Sequence, residues 1–377
     1  MQDSLANIIE ATAEFEAWLA QQLPVVRQDI QTKHILMAEA VFPFFRATFY
    51  RWAQLWPRVC EGLANAPQLL AVGDLHIENF GTWRDAEGRL IWGVNDLDEA
   101  APAAYTVDLV RLAASAYVAV EEEHLSIPRR EAAEAVEEGY REGVVQGGEP
   151  FVLAEKHRWL RLLALGKLRD PVRFWDKMES LHAYSGEVPE EARRLIEAEL
   201  PEGSREYQLK HRVAGLGSLG HPRIVALASR QGAWIAREAK AVRPSAWAWA
   251  KKNGSTEVHC GRLAAAAVHV PDPLLKFHEK WLVRRLAPDC SRIELASLPK
   301  ERDEAKLLYS MGRETANVHW GSPAAMAKVK KDLARRKGRW LHRAAKAMCV
   351  ATQEDWDEWR RGWQRLNKAR PRIGRAD

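Results

Sequence analysis

Gly73-Asp74-Leu75-His76-Ile77-Glu78-Asn79-Phe80-Gly81 and Asn95-Asp96-Leu97-Asp98-Glu99 are the two stretches that decide how this chain is interpreted. Apolar runs at 69–72 and 90–94 precede them, so each polar stretch is predicted to follow a β-strand. Between them, Gly88 suits a turn that needs positive φ. Two acidic loops at adjacent strand ends could hold a metal ion beside a reacting group.

The composition indicates a globular protein that carries no membrane segment. The chain has 377 residues, of which 47% are hydrophobic and 28% charged, enough for two domains or one bilobal domain. Four widely spaced cysteines form no CxxC pair, which favours a reducing cytosol and no structural metal. The start lacks the features of a signal peptide, and no apolar run reaches about 18 residues. We therefore expect a cytoplasmic protein with no membrane partner.

The net charge of +5 does not by itself indicate a nucleic-acid partner. One segment, Lys328 to Lys346, is locally basic, with nine Lys or Arg residues against a single Asp. It is predicted to be a solvated helix face, and binding of nucleic acid or an acidic partner is the alternative. The sequence gives no oligomeric state.

Hydrophobic periodicity predicts an α+β fold in which two helix-rich segments flank a β-rich unit. The helix-rich segments are residues 1–204 and 299–377, and the β-rich unit is residues 205–298. Helices are predicted at 5–22, 27–40, 42–56, 108–122, 128–143, 151–165, 171–182, 188–199 and 301–366. Within the β-rich unit, strands are predicted at 212–214, 223–227, 234–242 and 281–286.

The stretch 215–220 fits the pattern G-x-G-x-x-G. A dinucleotide-binding loop with this pattern opens a helix. Here Pro222 and the β-branched pair at 224–225 follow, which favours a second strand. A glycine loop between two strands can cover phosphates with its backbone N–H groups, and a plain tight hairpin is the alternative. The candidate phosphate-binding residues are Gly215, Gly217, Ser218, Gly220 and, on the third strand, Lys240.

The acidic loops supply the candidate catalytic and metal-binding residues. Asp74 is interpreted as a general base, with a capping role as the alternative. Asn79 and Asp96 offer a neutral and a charged oxygen to Mg²⁺. Asp98 is either a further ligand or a residue that orients Asp96.

Three more residues are expected to support these loops. Asp108 is predicted to accept backbone N–H groups from the first loop or to cap the helix that it opens. His76 is interpreted as bracing its loop rather than as a ligand or base. Arg111, one turn after Asp108, is included as a supporting residue.

At these residues the chain resembles a bacterial family known only as domain of unknown function 2252. That family is similar to the aminoglycoside-phosphotransferase branch of the kinase-like proteins, in which G-D-x-H-x-x-N replaces H-R-D and a D-x-D-like loop replaces D-F-G. The resemblance implies a Mg²⁺–ATP-dependent phosphotransferase with a bilobal kinase-like fold, a helix-rich large lobe and a small β-rich lobe. The matching stretches are Pro43-Phe44-Phe45-Arg46, GDLHIENFG, NDLDEA, DLVRLAAS, GLGSLG and Lys240-Ala241-Val242-Arg243-Pro244-Ser245.

The order of the motifs departs from that of ordinary kinases. The glycine loop follows the catalytic loop by more than 130 residues, so a kinase-like fold must be circularly permuted. The stretch 307–319 resembles the helix that normally precedes the catalytic loop. The glutamate that should pair with Lys240 is not assigned, and Glu238 and Glu257 are the candidates.

The sequence therefore predicts phosphoryl transfer from ATP to an unidentified hydroxyl acceptor. Nucleotidyl (AMP) transfer would use the same residues. A non-catalytic nucleotide-binding regulatory module is another alternative. A metallophosphoesterase is suggested only by the D-x-H pattern of Asp74-Leu75-His76, because no G-N-H-D stretch follows.

Overall fold

The structure is a computed structural model. It describes residues 5–153, 156–164, 170–204, 206–252, 255–290, 292 and 303–369. The predicted boundaries at 205 and at 298 lie outside the described residues. Within the described ranges the protein is α+β, mainly helical, with several small sheets.

The helices are numbered in chain order. They are α1 (Ile8–Gln22), α2 (Arg27–Glu39), α3 (Val41–Ala47), α4 (Phe49–Val59), α5 (Glu61–Ala64), α6 (Thr106–Glu121), α7 (Arg129–Gln146), α8 (Arg158–Ala164), α9 (Pro171–Glu179), α10 (Glu190–Glu199), α11 (Ala246–Ala250), α12 (Cys260–Ala266), α13 (Glu304–His319), α14 (Pro323–Arg335) and α15 (Trp340–Ala369). None of them is long and apolar enough to cross a membrane.

The strands form three separate sheets. They are β1 (Gln68–Ala71), β2 (Phe80–Arg84), β3 (Leu90–Val94), β4 (Ala101–Ala104), β5 (Phe151–Val152), β6 (Tyr207–His211), β7 (Arg223–Arg230), β8 (Ala233–Ala241), β9 (Lys276–Phe277) and β10 (Trp281–Leu286). The order is β1-β4 in one sheet, β2-β3-β5 in the second and β6-β7-β8-β10-β9 in the third, and every pairing is antiparallel.

The helical core is built around α6, which is apolar on nearly all sides and almost entirely buried. Such a helix must be covered all round, and α3, α7, α13 and α15 contact it. Glycines bring α7 and α13 together. A Cβ atom at Gly139 would lie 1.9 Å from the carbonyl oxygen of Tyr309, and one at Gly312 would lie 2.2 Å from that of Val136. The two helices therefore cross with their backbones in contact.

The five-stranded sheet places alternate residues on opposite faces. One face carries Ile224, Ala239 and Val283 and packs against α10 and the end of α1. The other face carries an apolar patch that packs on Met178 of α9. Beyond that patch the same face bears charged residues, namely Arg223, Glu238, Lys240 and Arg284.

Two expectations about local structure are wrong. The first strand of the large sheet is β6, so Arg212 to Ala214 begins the glycine loop instead of forming a strand. The predicted helix at 151–165 is replaced by the short strand β5 and by α8. Phe151 pairs with Trp92 at the edge of β3, and this tertiary contact overrides the local pattern.

The strands that precede the two acidic loops are not neighbours, contrary to the expectation. β1 pairs with β4, whereas β3 pairs with β2. The loops nevertheless meet, because the backbone N–H of Asn95 in the second loop donates to the carbonyl oxygen of Asn79 in the first loop at 2.8 Å.

Candidate functional site

A cleft of about 410 Å³ lies between the acidic loops, the glycine loop and the charged face of the large sheet. Its lining includes residues that are far apart in the sequence and that the sequence motifs predict as site residues. Among them are Asp74, His76, Asn79, Asp96, Asp98, Gly215, Gly217 and Ser218. Lys240, Gly220, Asp108 and Arg111 do not line it.

The side chain of Asn79 fastens the two acidic loops to each other. Its Nδ2 donates to the carbonyl oxygens of Asp74 (3.0 Å) and Asp96 (2.9 Å). Its Oδ1 accepts the backbone N–H of Asp96 at 2.8 Å. The buried carboxamide of Asn79 thus donates two hydrogen bonds and accepts one, and these fix the spacing between Asp74 and Asp96.

Helix α6 supports the first acidic loop with residues spaced along one face. Asp108 accepts the backbone N–H groups of Val72 (2.7 Å) and Gly73 (2.8 Å). Of the two roles predicted for it, the structure shows support of the loop and no helix cap. Ser115, two turns further along, accepts the N–H of Ile77 at 3.0 Å. The sequence analysis missed Ser115, although the 108, 111 and 115 spacing marks one helical face.

Arg111 lies between those two residues and holds the candidate base. Its Nε and Nη2 donate to Oδ1 of Asp74 at 3.0 and 2.7 Å, and Nη2 also reaches the carbonyl of Phe45 at 2.6 Å. Burial raises the pKa of Asp74, and the charge of Arg111 only partly offsets that effect. Asp74 is therefore oriented by Arg111 and is more basic than an exposed aspartate.

The glycine loop lies directly on this carboxylate. A Cβ atom at Gly217 would lie 3.4 Å from Oδ2 of Asp74. Gly215 and Gly220 have φ of +73° and +97°, which favours glycine. The prediction of a glycine loop between two strands is confirmed by β6 and β7.

His76 braces its own loop, as interpreted from the sequence. Its Nδ1 accepts the N–H of Glu78 at 3.2 Å and caps the short 3₁₀ turn Ile77–Asn79. Burial, reinforced by the charges of Arg46 and Arg111, holds the pKa of His76 well below its ordinary value. The ring is therefore neutral, with its proton on Nε2.

Lys240 pairs with the second acidic loop. Its Nζ lies 3.5 Å from both carboxylate oxygens of Asp96 and forms an ion pair with Asp98. Burial lowers the pKa of Lys240 to about 8, although Asp96 opposes this. Neither glutamate suggested as its partner contacts it. Glu238 pairs with arginines, and the exposed Glu257 pairs with His259 and Arg262.

Three arginines surround Glu238, which is fully buried. Arg223 Nη1 donates at 3.0 Å, Arg284 Nε donates at 2.9 Å, and Arg212 donates through Nη1. Burial opposes ionisation of Glu238, but the three guanidinium charges outweigh it and lower its pKa. No local sequence pattern predicted this cluster, because its members meet only through the sheet register and the loop that follows β6.

Asp96 is the carboxylate best placed to bind a cation. Both Asp96 and Asp98 pair with Lys240, but the side chain of Asp96 is 46% exposed, whereas that of Asp98 is 16% exposed. Burial opposes the ionisation of Asp96, but Lys240, Arg223 and Arg284 lower its pKa. Among the described residues no three His, Cys, Asp or Glu side chains cluster as a metal site. Magnesium suits such a place, since it takes one or two carboxylates and completes its shell with phosphates and water.

Further ion pairs join the acidic loops to two other stretches that carry the family resemblance, 43–46 and 240–245. Arg46 pairs with Glu78 of the first loop. Glu99, at the end of the second loop, pairs with Arg243 and accepts the N–H of Ala246 at 2.6 Å. These contacts tie the stretches 43–46 and 240–245 to the two acidic loops.

The basic segment 328–346 lies on α14 and α15, away from the cleft. Most of its cationic residues are exposed, as expected of a solvated helix face. Arg336 is an exception, because it packs on Asp332 and Tyr105.

Comparison with protein families supports part of the resemblance. Residues 25–165 match the model of a family described as an uncharacterized protein conserved in bacteria (DUF2252). This range includes both acidic loops and the supporting face of α6. Comparisons with curated proteins and with solved structures found no match.

Proposed function

We propose that the protein is a Mg²⁺–ATP-dependent phosphotransferase that acts on a hydroxyl acceptor. One observation carries the proposal. Gly217 of the glycine loop lies against the carboxylate of Asp74, and Asn79 ties Asp74 to Asp96 in the same cleft. The loop proposed to cover phosphates, the proposed base and the proposed cation ligand are thus adjacent, which supports phosphoryl transfer.

In this proposal Asp74 takes the proton of the acceptor hydroxyl while that oxygen attacks the terminal phosphorus of ATP. A new P–O bond forms as the bond to the ADP oxygen breaks. The raised pKa of Asp74 suits a base, and Arg111 holds the carboxylate in place. The backbone of residues 215–220 covers the phosphates.

Asp96 and Asn79 would hold the magnesium ion, with Asp98 close by. Bound magnesium would neutralise charge on the phosphate oxygens. The Oδ1 of Asn79 already accepts one hydrogen bond and retains one lone pair. Asp96 therefore makes the main contribution from the protein.

We further propose a kinase-like bilobal fold in which the large sheet is the small lobe and the helices form the large lobe. A circular permutation explains the motif order. It is supported by α13 and α15, which follow the sheet in the sequence but pack on α7 and α6, which precede it.

Calorimetry of ATP binding with and without Mg²⁺ tests the site, using wild type, Asp96→Ala and the control Asp176→Ala. Asp176 is an exposed carboxylate on α9, outside the cleft. We expect wild type and the control to bind with Mg²⁺, and Asp96→Ala to bind about tenfold or more weakly. Folded wild-type protein that binds no nucleotide would contradict the proposal.

Labelled ATP separates the two transfer reactions. Label from the γ-phosphate should appear in the product if phosphate is transferred. Label from the α-phosphate would instead indicate nucleotidyl transfer by the same residues.

The second candidate is a nucleotide-binding regulatory module. It is favoured by the two hydrogen bonds that Arg111 makes to Asp74, which tie up one carboxylate oxygen, and by the lack of contact between Lys240 and the two glutamates. Nucleotide binding unchanged by Asp74→Asn, together with no turnover by wild type, would favour this candidate.

A further inference from the structure

Lys240 is poorly placed to bind phosphate directly. Unlike Arg223, which is equally buried but lines the cleft, Lys240 does not line the cleft, and its ammonium is engaged by Asp96 and Asp98. A ligand in the cleft would have to displace two carboxylates to reach it. Another cation must therefore meet the phosphates if the proposed function holds.

The sheet register supplies such cations. Glu238 of β8 lies opposite Arg284 of β10, and Arg223 of β7 lies opposite Lys240, on the same face. Arg212 follows β6 at the entrance to the glycine loop. Three guanidinium groups share the single carboxylate of Glu238. With Lys240 and its partners Asp96 and Asp98 included, four cations face three carboxylates, which leaves one excess positive charge.

This cluster faces the cleft and has N–H groups that a ligand in the cleft could accept from. All three arginines line the cleft, and the side chains of Arg212 and Arg284 are 22% and 21% exposed. Arg223 is almost fully buried, and its Nε has no hydrogen-bond partner among the described residues. A buried donor without a partner is costly, so a bound acceptor group would be favoured here.

The cluster also lies beneath the glycine loop. Arg223 Nη2 donates to Oγ of Ser218 at 2.6 Å, and a Cβ atom at Gly215 would lie 2.9 Å from the same nitrogen. An anion that contacts these arginines would therefore be covered by residues 215–220. Guanidinium groups match phosphate oxygens in geometry and bind them with paired hydrogen bonds.

We propose that Arg212, Arg223 and Arg284 form a polyphosphate-binding site that holds the phosphate chain of a nucleoside triphosphate directly. The site takes the role that the family resemblance gives to Lys240, and it binds the anion without requiring Mg²⁺. The identity of the ligand as a nucleotide rests on the proposed function. The affinity for a short polyphosphate rests on the charge and geometry of the cluster alone.

Inorganic tripolyphosphate in EDTA is the probe, because it carries the phosphate chain but no base, sugar or metal. Calorimetry compares wild type, Arg284→Met and Arg212→Met with the control Arg230→Met. Arg230 is an exposed arginine at the end of β7, outside the cleft. We expect wild type and the control to bind alike, and each cluster variant to bind about tenfold or more weakly.

Unfolding midpoints show whether each variant is folded. Arg212→Met covers the case in which Arg284→Met fails to fold, because Arg212 lies at the edge of the cluster. Lys240→Met is measured in the same way and should weaken binding less than the arginine variants do. Absence of binding by wild type in EDTA, or wild-type affinity in both folded arginine variants, would overturn the site.

These outcomes are separate from those of the proposed function. Arginine-dependent tripolyphosphate binding without transfer of the γ-phosphate of ATP would retain the anion site and reject the phosphotransferase. ATP turnover that the arginine variants leave unchanged would retain the phosphotransferase and reject the anion site.

Discussion

Glu238 in the large sheet and Glu314 in α13 are both fully buried glutamates, but their surroundings differ completely. Glu238 accepts hydrogen bonds from three arginines. Glu314 forms no ion pair with any residue in the described part of the chain. Its Oε2 accepts from Asn317 Nδ2 at 2.8 Å, and its Oε1 accepts the N–H of Val94 at 3.3 Å.

The pKa values of the two carboxyls move in opposite directions. Burial raises the pKa of Glu314 to about 8, which the two neutral donors only partly oppose. At Glu238 the same effect of burial is outweighed by the guanidinium charges, and the pKa falls. Burial alone therefore does not decide ionisation. The charged partners make Glu238 an anion that organises the cleft, whereas Glu314 is a largely neutral acid in the helical core.

The largest effect is expected at Glu238. Glu238→Gln keeps the shape but removes the charge that three buried arginines share, so the free energy of unfolding should fall by about 3–5 kcal/mol. Urea denaturation at pH 7 measures it, with the exposed Glu257→Gln as the matched control, expected within about 0.5 kcal/mol of wild type. A loss below about 1 kcal/mol would mean that packing rather than charge holds the cluster.

A pH-dependent effect is expected at Glu314. Its pKa is about 8 in the folded state, against about 4.5 for an ordinary glutamate. At a pH between these two pKa values, folding takes up a proton at Glu314. The contribution of Glu314 to wild-type stability therefore falls as the pH rises from about 4.5 to about 8. Glu314→Gln cannot ionise, so its free energy of unfolding should gain on that of wild type by about 3–4 kcal/mol between pH 5 and pH 8.

Denaturation of both proteins at pH 5, 6, 7 and 8 measures that difference, in which the other titrating groups cancel. A difference that is constant with pH would show that Glu314 is ionised in the folded protein. The two glutamates would then share one behaviour, and the comparison would fail.

A smaller effect is expected where Gly93 makes room for Glu314. A Cβ atom at Gly93 would lie 2.4 Å from Oε1 of Glu314 and 2.8 Å from the ring of Trp83. Gly93→Ala should lower the free energy of unfolding by about 1–3 kcal/mol through overpacking. The double variant Gly93→Ala, Glu314→Ala tests this cause. If the clash with Glu314 is responsible, the double variant should lose less stability than the two single variants together. If the Glu314 side chain simply moves aside, the losses in free energy of unfolding will add.

The smallest effect is expected at Gly215, beside the arginine cluster. Gly215→Ala adds positive-φ strain and crowds Arg223, so we expect a loss of about 1–2 kcal/mol. Gly88→Ala is the matched control, since Gly88 has φ of +74° but no neighbour within 4 Å of the added Cβ. Equal losses in the two variants would show that strain alone matters and that Arg223 adjusts freely.

Local sequence patterns predicted a substantial part of the site. The glycine loop between two strands could be recognised from Pro222 and the β-branched pair after it. The helix that begins near Asp108 was also predicted, and its spacing places Asp108, Arg111 and Ser115 on one face. These features depend on residues within a few positions of each other, and local periodicity reports them directly.

The charge partners were decided only by the tertiary structure. Lys240 meets Asp96 across 144 positions, and Glu238 meets Arg284 across 46. A one-residue change of register would turn Glu238 to the apolar face of the sheet, and no local pattern specifies that register fully. The pairing of β1 with β4, and the contact of α13 and α15 with α7 and α6, depend in the same way on long-range packing. The sequence by itself determined the acidic and glycine motifs and therefore most of the candidate residues. The tertiary structure determined which charges face one another, because ionisation in a buried site depends on neighbours that are distant along the chain.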